Sequence, residues 1–309
     1  MDLQLELNKA GGFKNLELLA KQVVEGFIAG MHKSPFHGFS AEFAEHKIYN
    51  QGESTKHIDW KLYAKTDRLY TKRYDEETNL RCHLILDNST SMHYPQTIAT
   101  SIDNLNKSAF SALACASLMH ILKKQRDAVG LSIYSDAYDF YAPEKGSERH
   151  HQMLLGKLSE AVVSKPNSKR TDTYTYLHQI AEKIHRRSLI FVFTDMFQTT
   201  QEDDKIFEAL RHLKHNKHEV VLFHVFDKGK ELMFDFDNRP KRFIDIETGE
   251  HINLYADNIK QNYQEAVGNY FNNIKLRCGQ YRIKYVEADI SKGFNPILST
   301  YMIERQKFV

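Results

Sequence analysis

The run Leu189-Ile190-Phe191-Val192-Phe193 carries an apolar side chain at every position. Extended, it shows water no polar face. It is predicted to be a strand covered on both sides, as in a sheet packed between helices. Three more runs have the same character: Cys82 to Leu86, Val129 to Tyr134 and Val220 to Val225. Helical periodicity fills the gaps, at 102–123, 148–162, 174–186 and 203–215. Tyr138 to Ala142 follows the turn at Ser135-Asp136 and is expected to return as an antiparallel edge strand. Further on, 230–249 reads as strand-like, an inserted hairpin turning at Glu247-Thr248-Gly249-Glu250. A long helix is expected at 255–277, a last strand at Tyr281 to Val286 and a closing helix at 295–305. Strands alternating with helices imply an α/β fold, a doubly wound, mostly parallel sheet with helices on both faces.

Ahead of this lies a portion of different texture. Leu16, Leu19, Ala20, Val23, Val24, Phe27 and Ile28 give one apolar helical face across 15–31. Residues 36–58 show no periodicity. A short helix around 58–65 and a strand around 68–75 follow, with Trp60, the only tryptophan, expected to pack in a core. The organisation expected is an N-terminal extension, 1–79, and an α/β domain, 80–309.

Composition removes several classes of function. Forty-two basic and 40 acidic residues leave a net charge of +2, which does not suit a polyelectrolyte or nucleic-acid binder. Sixteen histidines are present, without H-E-x-x-H or C-x-x-C spacing to make a zinc site. Three cysteines, Cys82, Cys115 and Cys278, lie far apart and read as buried free thiols of a reducing compartment. No apolar run approaches the roughly 18 residues of a membrane span. The first residues lack the pattern of a secretion signal, so a cytoplasmic location is expected. There is no G-x-x-x-x-G-K-[ST], no G-x-S-x-G, and no G-x-G-x-x-G after a strand.

The chemistry gathers where apolar runs end in polar residues. Asp87-Asn88-Ser89-Thr90-Ser91 follows the first strand and reads D-x-S-x-S. Thr194-Asp195 follows the strongest strand. Arg170-Thr171-Asp172-Thr173 precedes a helix. In open α/β sheets the ligand crevice lies beyond the carboxyl ends of the strands, where strand order reverses. Three loops would bring carboxylates and hydroxyls there, hard oxygen donors suited to Mg²⁺.

That combination resembles the von Willebrand factor A domain and its metal-ion-dependent adhesion site. The resemblance implies Asp87, Ser89 and Ser91 in the first loop, Thr171 in the second and Asp195 in the third, around Mg²⁺ (or Mn²⁺ or Ca²⁺). Thr173 is a rival for Thr171. A second resemblance lies upstream. Tyr49, Gly52, Glu53 and Ile58-Asp59-Trp60 through Ala64-Lys65-Thr66 are similar to the signature of a bacterial family catalogued as domain of unknown function 58. That family implies a MoxR-type AAA+ ATPase partner and chaperone-like or complex-maturation work. Lys65, Arg68, Lys72 and Arg73 are candidate partner contacts, or else a solvated charged face.

The expected function is therefore a non-enzymatic interaction module that captures a partner's acidic residue through the metal. Two alternatives stay open. A haloacid dehalogenase-like phosphatase also carries an acid after its first strand, but Ser89 stands where its second acid would be. The third reading is the same fold with a degenerate, metal-free site.

Overall fold

The computed structural model describes residues 16–31, 46–48, 60–67, 69–72, 80–95, 104–135, 138–163, 173–196, 203–215, 217–245 and 250–307. Two compact units emerge. One joins the first part of helix α1 (Leu16–Met31), through Phe27, to the chain from Leu80 onward, and the other spans Ile28–Asn79.

In the second unit, strand β1 (His46–Ile48) pairs antiparallel with β2 (Tyr70–Lys72), Ile48 opposite Tyr70. Helix α2 (Trp60–Thr66) lies between them in sequence. Trp60 does not take the core position expected of it. It is 62% exposed, and its ring meets Tyr63 edge to face at 6.2 Å.

The first unit is built on a six-stranded sheet. In chain order its strands are β3 (Arg81–Asp87), β4 (Ala128–Tyr134), β5 (Tyr138–Lys145), β6 (Leu189–Thr194), β7 (Glu219–Phe226) and β10 (Lys284–Asp289). Across the sheet the order is β10-β7-β6-β3-β4-β5. All neighbours run parallel except β5, which returns antiparallel to β4. The doubly wound α/β class expected from the apolar runs is the one observed. The chain leaves β3 toward β4 and β5, then comes back to β6 on the other side. The order therefore reverses between β3 and β6.

Both faces are covered. Ile85, Ile190, Val192, Val220 and Leu222 pack with α5 (Thr173–Lys183), α6 (Asp203–His215) and α7 (Ala256–Gln280). On the other face, α3 (Lys107–Lys124) and α8 (Asn295–Arg305) meet the sheet, and Tyr301 packs edge-on to Phe191. Helix α4 (Glu148–Val163) lies against α3. Leu189 through Phe193 are all fully buried, and such burial contributes about 1.5–3 kcal/mol per large side chain. The three cysteines are free and buried, as expected. Among the described residues, no helix is long and apolar enough to cross a membrane.

Several boundaries shift for local reasons. Helix α3 starts at Lys107 rather than near 102, because the Asn106 side chain accepts from Ala109 N at 2.8 Å and caps it there. The stretch expected to be strand from 230 opens instead as a π-helical turn, Lys228–Leu232, capped by Asp227. The hairpin follows it, β8 (Pro240–Ile244) against β9 (His251–Tyr255). The turn residues 247–249 lie outside the described residues.

At the amino-terminal edge of the sheet, Asp127 ties three segments together. Its Oδ1 accepts from Leu80 N at 3.1 Å, and Oδ2 pairs with Arg305 Nη2 at 3.0 Å. Beneath the sheet, His83 of β3 bridges Ser132 of β4 and Glu144 of β5, at 2.7 and 2.6 Å. Burial pushes the Glu144 carboxyl up, but the His83 hydrogen bond and charge outweigh it and hold the pKa below the ordinary value. The serine, histidine and acid are ordered like a hydrolytic relay. Ser132 is nevertheless 0% exposed, so the arrangement is an internal tie of three strands.

Gly130 makes room for that tie. A Cβ there would sit 2.9 Å from the Ala142 carbonyl oxygen and from His83 Cε1, and nearer still to His83 Nδ1. Gly130→Ala is expected to destabilise the protein by about 3 kcal/mol through overpacking, read as a lower denaturant midpoint at unchanged slope. Unchanged stability would mean that His83 repacks freely.

Candidate metal-binding site at the switch point

Parallel pairing of β3 with β6 sets Leu86 opposite Phe193. The next residues, Asp87 and Thr194, then leave the sheet side by side. The Thr194 hydroxyl donates to Asp87 Oδ2 at 2.7 Å, and Ser89 N donates to Oδ1 at 2.9 Å. Asp87 is buried. Burial first, and the Asp195 charge second, push its carboxyl up to about 6, although the bonds from Thr194 and Ser89 pull the other way.

The loop after β3 turns at once into a short 3₁₀ segment, Thr90–His93. This turn brings Ser89 Oγ within 3.1 Å of Ser91 Oγ. Small octahedral cations bond oxygen at about 2.1 Å, which sets neighbouring ligands about 3 Å apart, so the two hydroxyls already have the spacing of adjacent ligands. Asn88 fixes the loop from behind. Its N donates to Tyr134 O at 2.8 Å, and its Oδ1 accepts from Ser108 Oγ at 3.1 Å.

Of the five expected metal ligands, Asp87, Ser89, Ser91 and Asp195 fall at the carboxyl ends of β3 and β6. Thr171 lies outside the described residues. Its rival Thr173 is buried at the start of α5, beside the Tyr134 hydroxyl, which also faces Thr194. Asp87, Ser89, Ser91, Asp195 and Thr173 carry oxygen donors of the type a small divalent cation takes. Among the described residues, no three His, Cys, Asp or Glu side chains form a metal set, so the hydroxyls are indispensable to such a site. Of the upstream cations, Lys65 is exposed on α2 and Lys72 is on β2, whereas Arg68 and Arg73 lie outside the described residues.

The sequence did not signal the cation already present. Lys107, first in α3, is fully buried, and its Nζ donates to Asp195 Oδ2 at 2.8 Å and Glu231 Oε1 at 2.6 Å. Burial works against the ammonium, but the charges and hydrogen bonds of Asp195 and Glu231 outweigh it and raise its pKa. For Glu231 burial wins, and its carboxyl lies above the ordinary value despite Lys107. Lys107 fell inside a helix expected from 102, and Glu231 in an expected strand. Only the capping Asn106 could have shown that position 107 begins the helix and points at the sheet edge.

His224 supports the third loop. Its Nε2 donates to Asp195 O at 2.9 Å, and its Nδ1 shares a hydrogen bond with the Tyr285 hydroxyl at 2.8 Å. Burial lowers its pKa to about 4.

A family model described as "Protein of unknown function DUF58" matches residues 45–270. Uncharacterized proteins of Mycobacterium bovis and of two Mycobacterium tuberculosis strains are each 20% identical over 186 residues, 60% of this chain and 56% of theirs. The chain thus spans little more than half the length of those relatives. Among solved structures, the conserved hypothetical protein BatB from Bacteroides thetaiotaomicron aligns with TM-score 0.45 and 16% identity, over 74% of this chain and 99% of that one. An aerotolerance-related membrane protein from Bacteroides fragilis aligns with TM-score 0.43 and 15% identity, over 73% and 97%.

Two outcomes test the geometry. Thr194→Val keeps the shape but leaves Asp87 Oδ2 without its donor, and is expected to cost about 2 kcal/mol in chemical denaturation. For His224, the folded pKa of about 4 lies below the unfolded value near 6.5, so the unfolded chain binds more protons between them. Its contribution is complete above 6.5 and is lost as pH falls from there toward 4, on the order of 3 kcal/mol. His224→Gln should flatten that part of the stability profile. An unchanged slope would show that another group carries it.

Proposed function

The chain belongs to the family described as protein of unknown function DUF58, and from that premise we propose that it is a non-enzymatic interaction module whose metal-ion-dependent adhesion site holds Mg²⁺ and captures a partner's carboxylate. The observation that carries this reading is the loop after β3. It sets Asp87, Ser89 and Ser91 at the switch point, with two hydroxyls at adjacent-ligand spacing. The raised carboxyl of Asp87 also supports it, since a cation between Asp87 and Asp195 would relieve their repulsion. Asp87, Ser89 and Ser91 would hold the ion, with Thr173 or Thr171 from the second loop and Asp195 from the third. Neutral hydroxyls leave a bound Mg²⁺ much of its charge, and that charge is what an outside Asp or Glu would meet.

The partner class proposed is a MoxR-type AAA+ ATPase, with work of a chaperone-like or maturation kind. Lys65, Arg68, Lys72 and Arg73 are proposed as further partner contacts. The phosphatase alternative would need a proton donor two residues beyond Asp87, and Ser89 does not supply one. The metal-free alternative has one observation in its favour: Lys107 already neutralises Asp195.

Calorimetric titration separates these readings. The wild type is expected to take up Mg²⁺, and Asp87→Ala, checked for folding by circular dichroism, to bind at least about tenfold more weakly, because the only anionic ligand of the first loop is gone. Equal binding by the two proteins would sink the proposal. Capture of a MoxR-type ATPase should require Mg²⁺ and vanish with EDTA, and a generic phosphomonoester should not be turned over.

A further inference from the structure

We propose that Lys107 sets the charge of this site, and thereby both how tightly a divalent cation is held and whether an outside carboxylate can join it. This rests on the metal reading above. Lys107 stands where a cation is least expected. It is the first residue of α3, and a helix N-terminus favours negative charge. It is also fully buried, and an ammonium taken out of water needs close partners to stay charged. The fold supplies two. Asp195 is the third-loop acid, and Glu231 comes from the turn after β7.

Glu231 is held firmly in this role. Its Oε2 accepts from Asp227 N at 2.6 Å, and its backbone carbonyl accepts from the Tyr263 hydroxyl at 2.9 Å. The Tyr94 ring lies 6.0 Å from the Lys107 ammonium. The turn that carries Glu231 is therefore built to deliver a second carboxylate to Lys107.

The charge count gives this arrangement its meaning. Among the described residues that meet Lys107 or form the first and third loops, Asp87, Asp195 and Glu231 are acids, Lys107 is the one ammonium, and burial lowers the pKa of both His93 and His224 and disfavours their charged forms. Ionised, the acids and Lys107 leave two negative charges, which one divalent cation cancels. An incoming carboxylate then meets a neutral site with an exposed metal. Without Lys107 three negative charges would remain. The cation would be held more tightly, and the filled site would stay negative and repel the partner's acid. Lys107 trades metal affinity for receptiveness to the ligand.

A charge series tests this, with Mg²⁺ alone as the probe in titration calorimetry on the full chain. Lys107→Met should tighten Mg²⁺ binding by about tenfold, and Glu231→Gln should weaken it by a similar factor. The double variant, which restores two net negative charges, should return to the wild-type affinity. Acetate, compared with chloride at equal ionic strength, should strengthen Mg²⁺ uptake by the wild type and not by Lys107→Met. Glu231→Gln keeps the Lys107–Asp195 pair, so the series remains decisive if Lys107→Met does not fold. An affinity that stays flat, or moves in the same direction for both single variants, overturns the role of Lys107. If the wild type binds Mg²⁺ and Asp87→Ala does not, the metal reading survives that result. If the wild type takes up no Mg²⁺, both fall.

Discussion

The parallel pairing of β3 with β6 is the constraint on which the site depends. Leu86 is set against Phe193 by the ladder, and both strands are buried on both faces. A slip of one residue would turn every side chain of one strand to the opposite face, so the register is held by the whole core. Asp87 and Thr194 therefore emerge together without any need of their own. The hydrogen bond between them follows from the sheet.

Around that point the protein buries several polar groups that find partners on other elements. Lys107 reaches from a helix to acids on two loops. His224 joins β7 to the loop after β6 and to β10, and His83 joins three strands. Low dielectric makes such bonds strong when complete and costly when broken. The same networks that hold the loops in place also set their electrostatics. Asp87 is made reluctant to ionise by burial, whereas Lys107 is kept charged by its acids.

Much of this was legible in the sequence. Apolar runs such as Leu189–Phe193 declared the buried strands, and the polar residues that end them lie together at the switch point. Tyr138 to Ala142 read correctly as a returning edge strand, which runs on to Lys145. What escaped notice was tertiary. Lys107 and Glu231 lie 124 residues apart, and neither has a local pattern that points to the other. Residues 230–232 fell in a stretch read as strand-like, but the Asp227 cap and the bond from Asp227 N to Glu231 curl Lys228–Leu232 into a turn. Trp60 shows the opposite failure. A large ring suggests a core, yet the helix that carries it turns it outward.

The tie at Asp127 has a consequence for how such a domain can change. It clamps the entry to β3 and the last helix at the edge of the sheet opposite the candidate site. Cohesion is thus anchored at one pole, and the candidate site lies at the other. Loops at the opposite pole can lengthen, shorten or exchange residues without loosening the anchor. One scaffold can then carry different loops while its folding stays the same.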